Sequence, residues 1–80
     1  MDILTDITAR VKRYAGRAPS LTDTIGRDLR IDRGDFVEFC DEMEAAYGVD
    51  LRPLFEPTGT FKDATVAELA AYVSSQRISN

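Results

Sequence analysis

The stretch DLRIDRGDFVEFCDEMEAAYG, residues 28–48, decides the fold, because in it a polar loop leads into an amphipathic helix. Apolar side chains recur there every three or four residues, which is the spacing of one helical face. They are Phe36, Phe39, Cys40, Met43 and Tyr47, with Val37 at the edge. Asp35 followed by Glu38 is typical of a helix start, and Gly48 of a helix end. The pattern predicts a helix over residues 35–47.

Two more helices are predicted, one on each side of this stretch. Residues 3–14 end before Gly16 and carry one apolar face, made of Leu4, Ile7, Val11 and Tyr14. Residues 65–76 begin with Thr65 and Glu68, which are spaced as a capping box. Their buried face is expected to consist of Val66, Leu69, Ala70 and Val73, with Tyr72 beside them.

The connections are unequal in length. Residues 15–34 form a long link in which Leu21, Ile25, Leu29 and Ile31 recur, so we expect the link to pack over the core. Residues 52–61 contain two prolines and a glycine, which favours a loop with one short helical turn. Four apolar side chains in and next to this segment are expected to point toward the core: Leu51, Leu54, Phe55 and Phe61. Residues 74–80 are expected to be a frayed tail.

These elements predict one all-α domain over residues 1–80, a small bundle of three main helices plus a short extra helix. The 44% apolar content suffices for one core. No apolar run approaches the roughly 20 residues that span a bilayer. The charged start MDILTDITARVKRY is unlike a signal peptide. We therefore expect a cytoplasmic monomer that does not enter membranes.

The chain has no histidine and a single cysteine, Cys40. From these absences we expect no zinc site, no His-based acid–base catalysis, no Ser-His or Cys-His nucleophile and no internal disulfide framework. Cys40 is expected to pack in the core rather than react, because nearby carboxylates disfavour its thiolate. We expect no enzyme activity, no cofactor and no metal centre.

Charge is concentrated in the deciding stretch. Residues 28–50 carry eight acidic and two basic side chains, whereas residues 1–27 carry three and five and residues 51–80 three and three. A local net charge of −6 repels nucleic acid and attracts a basic protein partner. The plainer interpretation is a solvated helix face that serves only solubility.

Over residues 3–73 the chain resembles the acyl carrier protein family. Residues 28–39, DLRIDRGDFVEF, are similar to the family's Asp-Leu-Gly-x-Asp-Ser-Leu-Asp-x-Val-Glu-Leu. Residues 46–49, AYGV, and 65–73, TVAELAAYV, are similar to its later Glu-Phe-Gly-Ile/Val and Thr-Val-Gly-Asp-x-x-x-Tyr-Ile. In that family the serine of the first motif receives 4′-phosphopantetheine. Here Arg33 holds the serine position and Gly34 follows, so the chain resembles a serine-less bacterial subgroup of carrier-like proteins.

The resemblance implies a carrier fold that docks a protein partner through its acidic second helix. The implied docking residues are Asp32, Arg33, Asp35, Glu38, Asp41, Glu42 and Glu44. A partner with a basic patch fits them, such as an acyl-transfer or synthase enzyme. The alternative is an acyl or peptidyl carrier of fatty-acid or polyketide-type synthesis that is modified at an unconventional site. Its remaining candidate hydroxyls include Ser20, expected in a loop far from the second helix, and Ser74, Ser75 and Ser79 in the tail.

Three smaller alternatives concern the same junction. Arg33 either pairs with Asp32 and Asp35, which we favour, or joins free backbone N–H groups in holding a phosphate or carboxylate. Asp28, Asp32, Asp35 and Glu38 have at most the composition of a weak divalent-ion site, without a calcium loop's ligand spacing. Residues 33–35 also match the adhesion tripeptide Arg-Gly-Asp, but a three-residue match often arises by chance, and we discount it.

Overall fold

The computed structural model describes residues 2–78. Four helices follow one another: α1 (Ile3–Ala15), α2 (Arg33–Tyr47), α3 (Arg52–Phe55) and α4 (Val66–Ile78). Within the described residues there is no strand, only one antiparallel backbone pairing between Thr24 and Thr65. The all-α prediction, with three main helices, a short fourth one and a long first connection, is confirmed.

The helix ends follow from local hydrogen bonding. Asp2 caps α1 by accepting from the Leu4 and Thr5 amides, and Gly16 ends the helix with a left-handed φ of 76°. Thr65 and Glu68 form the expected reciprocal box at α4, with the Thr65 amide 2.9 Å from Glu68 Oε1 and the Glu68 amide 3.1 Å from Thr65 Oγ1. Helix α4 continues to Ile78, so the frayed tail expected from residue 74 is wrong as far as residue 78. Residues 79–80, including Ser79, lie outside the described part.

Helix α2 begins two residues earlier than predicted. Asp32, not Asp35, is the capping residue: its backbone is extended and its Oδ1 accepts from the Asp35 amide at 2.8 Å. Asp35 instead lies in the first turn, where the positive end of the helix dipole stabilises its carboxylate. The predicted Asp35–Glu38 capping pattern is therefore wrong, and Arg33 and Gly34 are helical.

One core joins all the elements. Each main helix contributes fully buried side chains: Ile7 and Val11 from α1, Phe39 and Met43 from α2, and Val66, Leu69 and Val73 from α4. The short elements add Val49, Leu51, Phe55 and Ala64. Helix α1 packs against both α2 and α4. The Cα radius of gyration is 11.5 Å, close to the roughly 12 Å expected for a folded chain of this length.

The long link packs on the core as expected, with one exception. Ile25, Leu29 and Ile31 are buried, but Leu21 is 47% exposed, so its predicted burial is wrong. The link is fastened to the segment before α4 by the Asp63 carboxylate, which accepts from the Gly26 and Arg27 amides at 2.9 Å each. The Ile25 amide also donates to the Ala64 carbonyl at 2.9 Å. The link therefore has a fixed path beside α2.

Arg30 has a left-handed backbone conformation, with φ 53°, between the buried Leu29 and Ile31. A side chain with a Cβ is strained there, whereas glycine is not. The carrier motif that this stretch resembles has glycine at the same position.

We expect Arg30→Gly to raise the free energy of unfolding by about 0.5–1 kcal/mol, since relief of the Cβ strain exceeds the extra chain entropy of glycine. Urea unfolding followed by circular dichroism measures the change. Arg30→Ala is the matched control, because it removes the guanidinium and keeps the Cβ. Equal stabilisation by both substitutions would contradict the strain explanation.

Candidate functional site

The junction that holds the candidate site is set by the cap of α2. Asp32 is exposed and engaged in capping, and Arg33 is the first helical residue, also exposed. Within residues 2–78 the Arg33 guanidinium forms no ion pair, so the expected pairing with Asp32 and Asp35 is not found. Arg33 therefore presents its charge to solvent at the end of α2 that carries the positive dipole.

The acidic side chains of α2 divide between two sides of the helix. Glu42 faces α1, where its carboxylate accepts from Arg10 at 2.6 Å, from Tyr14 at 2.9 Å and from Arg13. Its side chain is only 21% exposed. Glu42, predicted as a docking residue, is thus occupied within the fold.

The other acidic residues of the predicted docking set remain at the surface. Glu38, Asp41 and Glu44 are exposed, and Asp35 is partly buried. Of these, Asp41 and Glu44 border a cleft on the side of α2 away from α1. Among the described residues none of the four forms a salt bridge.

A second contact joins α1 and α2 beside Glu42. The Tyr47 hydroxyl donates to Asp6, which also accepts from Arg10 Nε at 2.8 Å. The hydrogen bond from Tyr47, followed by that from Arg10, lowers the pKa of Asp6. Burial alone would raise the pKa of Glu42, but hydrogen bonds from Arg10 and Tyr14 outweigh it, so that this pKa too lies below its ordinary value. Both carboxylates are therefore held in the charged form.

The cleft has a volume of about 1120 Å³ and lies between α2, α3, the link and residues 59–63. Three phenyl rings form its apolar wall: Phe36 meets Phe55 edge-on at 4.8 Å and Phe61 at 5.9 Å between ring centroids. Phe55 and Phe61 stack at 6.0 Å. Phe61 is 51% exposed and Val37 53%, so the predicted burial of Phe61 is wrong.

Phe61 stays near the surface because it lies across the link. A Cβ at Gly26 would lie 3.4 Å from the Phe61 ring and 3.4 Å from both Asp63 carboxylate oxygens. The tip of the ring therefore rests against the link, and the half-exposed side chain borders the cleft. Sequence reasoning missed this feature, since it treated every aromatic residue as core.

Cys40 lines the same cleft and is partly buried. Burial, followed by the negative charges of Asp41, Asp50 and Glu56, raises the pKa of its thiol to about 11. A thiol with this pKa is protonated at neutral pH and is a poor nucleophile. Its expected packing among apolar residues is confirmed, because it contacts the core cluster.

Metal and buried-ligand chemistry find little support in the described residues. No group of three or more Cys, Asp or Glu side chains in residues 2–78 is arranged to hold a metal ion. The weak divalent-ion set around Asp28 and Asp32 is therefore not found. No buried side-chain N or O atom described here lacks a hydrogen-bond partner. In the same part of the chain, no helix is both long and apolar enough to cross a membrane. The features left for recognition are therefore on the surface: the acidic side chains and the cleft.

The comparisons with known proteins assign no family. No family model matches the chain, and no curated protein and no solved structure matches it.

Glu42→Gln should lower the free energy of unfolding at pH 7 by about 1–2 kcal/mol, because hydrogen bonds to a charged group stabilise by roughly that amount when partly buried. Glu44→Gln is the matched control on the same helix, and it should change stability by less than about 0.5 kcal/mol. Urea titrations of the three proteins measure both differences.

The effect of Glu42→Gln should depend on pH. The folded pKa of Glu42 lies below its ordinary value of 4.5, so the stabilisation is present above pH 4.5 and disappears as the pH falls through the folded pKa. The difference between wild type and Glu42→Gln should therefore shrink from pH 5 downward. A difference that is equal at pH 7 and pH 3 would contradict this assignment.

Proposed function

We propose that this chain is a non-catalytic interaction module with an acyl-carrier-like fold, which docks a basic protein partner through α2 and carries no covalently attached cofactor. The observation that carries the proposal is the state of Glu38, Asp41 and Glu44. All three are exposed on the same helix, and none has an ion-pair partner in residues 2–78. Unpaired like charges on a rigid element attract an oppositely charged surface and orient it.

The contrast with Glu42 supports this division of roles. Glu42 is bound by three side chains of α1, and α2 is thereby fixed to the bundle. The neighbouring carboxylates are left to solvent, because the nearest arginines of α1, Arg10 and Arg13, are already paired with Glu42. The docking surface that we propose therefore consists of Glu38, Asp41 and Glu44, with Arg33 and Asp35 at its edge.

The carrier-like topology is also a proposal, and the helix order supports it. A long link precedes α2, a four-residue helix follows it, and α4 completes the bundle, which is the arrangement that the resemblance implies. Arg33 begins α2, at the junction where the carrier motif has its modified serine. A guanidinium forms no phosphodiester with pantetheine, so position 33 offers no point of covalent attachment.

The partner that fits best is a protein with a basic patch, such as an acyl-transfer or synthase enzyme. A module of this shape without the prosthetic arm would occupy the docking site of a true carrier and so regulate acyl transfer. The absence of histidine and the raised pKa of Cys40 support a non-catalytic role. We propose that the module acts as a cytoplasmic monomer.

The competing carrier function is tested by intact mass. After co-expression with a broad-specificity phosphopantetheinyl transferase, the protein should keep its unmodified mass, since position 33 has no hydroxyl. A matched variant, Arg33→Ser with Gly34→Leu, restores the two motif residues and is the positive control for recognition of the fold. A phosphopantetheine adduct on the wild-type chain would overturn the proposal.

Docking is tested by reversing charge on the proposed surface. The triple variant Glu38→Lys, Asp41→Lys and Glu44→Lys should lose a partner that the wild-type protein recovers from an extract of its host. The loss should be seen by quantitative mass spectrometry at low salt, where surface attraction is least screened.

A control for net charge uses α4 instead of α2. Ala71, Ser75 and Gln76 are exposed on α4, and their replacement by lysine adds three positive charges away from the docking surface, the same change in net charge as Glu38→Gln, Asp41→Asn and Glu44→Gln produces on it. The α4 variant should recover the partner as the wild type does. If the α2 reversal leaves recovery unchanged, the acidic surface is not the docking site.

A further inference from the structure

We infer that the cleft beside α2 receives an apolar anchor side chain of the docking partner, while basic residues next to that anchor contact Asp41, Glu44 and Glu56. This inference rests on the proposed docking function and adds to it the chemistry that a partner segment must have: a large apolar side chain with lysine or arginine close by.

The apolar part of the surface is large enough for such an anchor. Val37 and Phe61 are each about half exposed, and both border the cleft, together with the partly buried Phe36 and Cys40. Large apolar side chains that stay exposed around a concave site mark interaction surfaces. The volume of about 1120 Å³ is at the upper end of the range of ligand pockets, so the cleft has room for one aromatic side chain.

The charges around the cleft determine the sign of the partner. Two carboxylates are satisfied within the fold: Asp63 accepts from the Gly26 and Arg27 amides, and Asp50 pairs with Arg52 at 3.0 Å. Asp41, Glu44 and Glu56, which also line the cleft, form no salt bridge among the described residues.

Three arginines line the cleft. Arg33 begins α2, eleven residue steps or about 16 Å along the axis from Glu44, and Arg27 lies on the link. Arg52 is at the other end, where it pairs with Asp50 and its charge also acts on Glu44 and Glu56. One arginine there faces four carboxylates that line the cleft, so the net charge near Cys40 is negative. This negative charge affects the Cys40 thiol, because Asp41, Asp50 and Glu56 add to burial in raising its pKa. A basic segment with a central anchor matches this distribution, with its cations toward Asp41 and Glu44.

Two other occupants make different predictions. A small apolar anion would use Arg27 and Arg33 at the opposite end, and a second copy of the chain would bury Val37 and Phe61 against each other. Both become outcomes of the same experiment.

The test uses a peptide whose one tryptophan is flanked on each side by two lysines, acetylated and amidated at its ends. The protein contains no tryptophan, so fluorescence excited in the tryptophan band reports only the peptide. On titration with the wild-type protein, the emission should move to shorter wavelength as the indole leaves water, and the affinity should fall as salt is raised. The same peptide with glutamates instead of lysines should not bind.

Variants separate the anchor from the charges. Val37→Ser and Phe61→Ser should each weaken binding by about tenfold, the effect of losing one buried apolar contact. Leu21→Ser is the matched control, because Leu21 is 47% exposed but borders a different concavity between α1 and α4. Circular dichroism shows whether each variant stays folded. If Phe61→Ser does not fold, binding by Val37→Ser alone decides whether the anchor inference holds.

The outcomes distinguish the inference from the proposed function. If Asp41→Asn with Glu44→Gln weakens binding but the emission stays that of water-exposed indole, docking stands and the anchor inference is overturned. If that charge variant has no effect, the acidic surface itself is contradicted. Preference for 1-naphthoate over the basic peptide would assign the cleft to an anion. Concentration-dependent dimers that Val37→Ser dissolves would assign it to a second copy.

Discussion

The carboxylate of Asp63 is the contact on which the shape of the site depends. It accepts from the amides of Gly26 and Arg27 and from that of Ala64 at 3.0 Å, and so holds the link against the segment that leads into α4. A Cβ at position 26 would already be in van der Waals contact with the Asp63 carboxylate and with the Phe61 ring, at 3.4 Å from each. Because the link is fixed there, Arg27 and Phe61 form one wall of the cleft and α2 forms the other.

Helix α2 combines attachment and recognition on separate faces. Phe39 and Met43 bury one face, Glu42 binds α1, and Asp41 with Glu44 borders the cleft. A helix that used all of its acidic residues for ion pairs would be no more strongly fixed, since exposed pairs stabilise little. A helix that used none would lack the partly buried bridge to α1. The observed division gives α2 a fixed position and leaves its outer charges available to a partner.

Much of the fold was predictable from the sequence, because it depends on local pattern. Helical periodicity identified the buried faces of all three main helices, and the capping box of Thr65 and Glu68 is present as predicted. The start of α2 was missed because two aspartates three residues apart, Asp32 and Asp35, both suit a cap. Only the backbone conformation decides between them, and Asp32 has the extended one.

The site was less predictable, because it depends on which elements meet. Glu42 looks like its neighbours Asp41 and Glu44 in sequence, and only the approach of Arg10 and Arg13 from α1 separates it from them. Leu21 and Phe61 have the composition of core residues, but the core was already filled by Ile25, Leu29 and Phe55. Exposure of these side chains is a property of the assembled domain and leaves no local signal.

The three tyrosines have a consequence for behaviour in alkali. Each phenol donates a hydrogen bond that joins separate parts of the chain: Tyr14 to Glu42, Tyr47 to Asp6 and Tyr72 to the Asp50 carbonyl at 2.9 Å. Burial comes first among the causes that raise the pKa of all three, so the fold favours the protonated phenol. This stabilisation is complete below pH 10 and is lost as the pH rises through the folded values. With no indole in the chain, the absorbance of tyrosinate reports directly on the opening of these contacts.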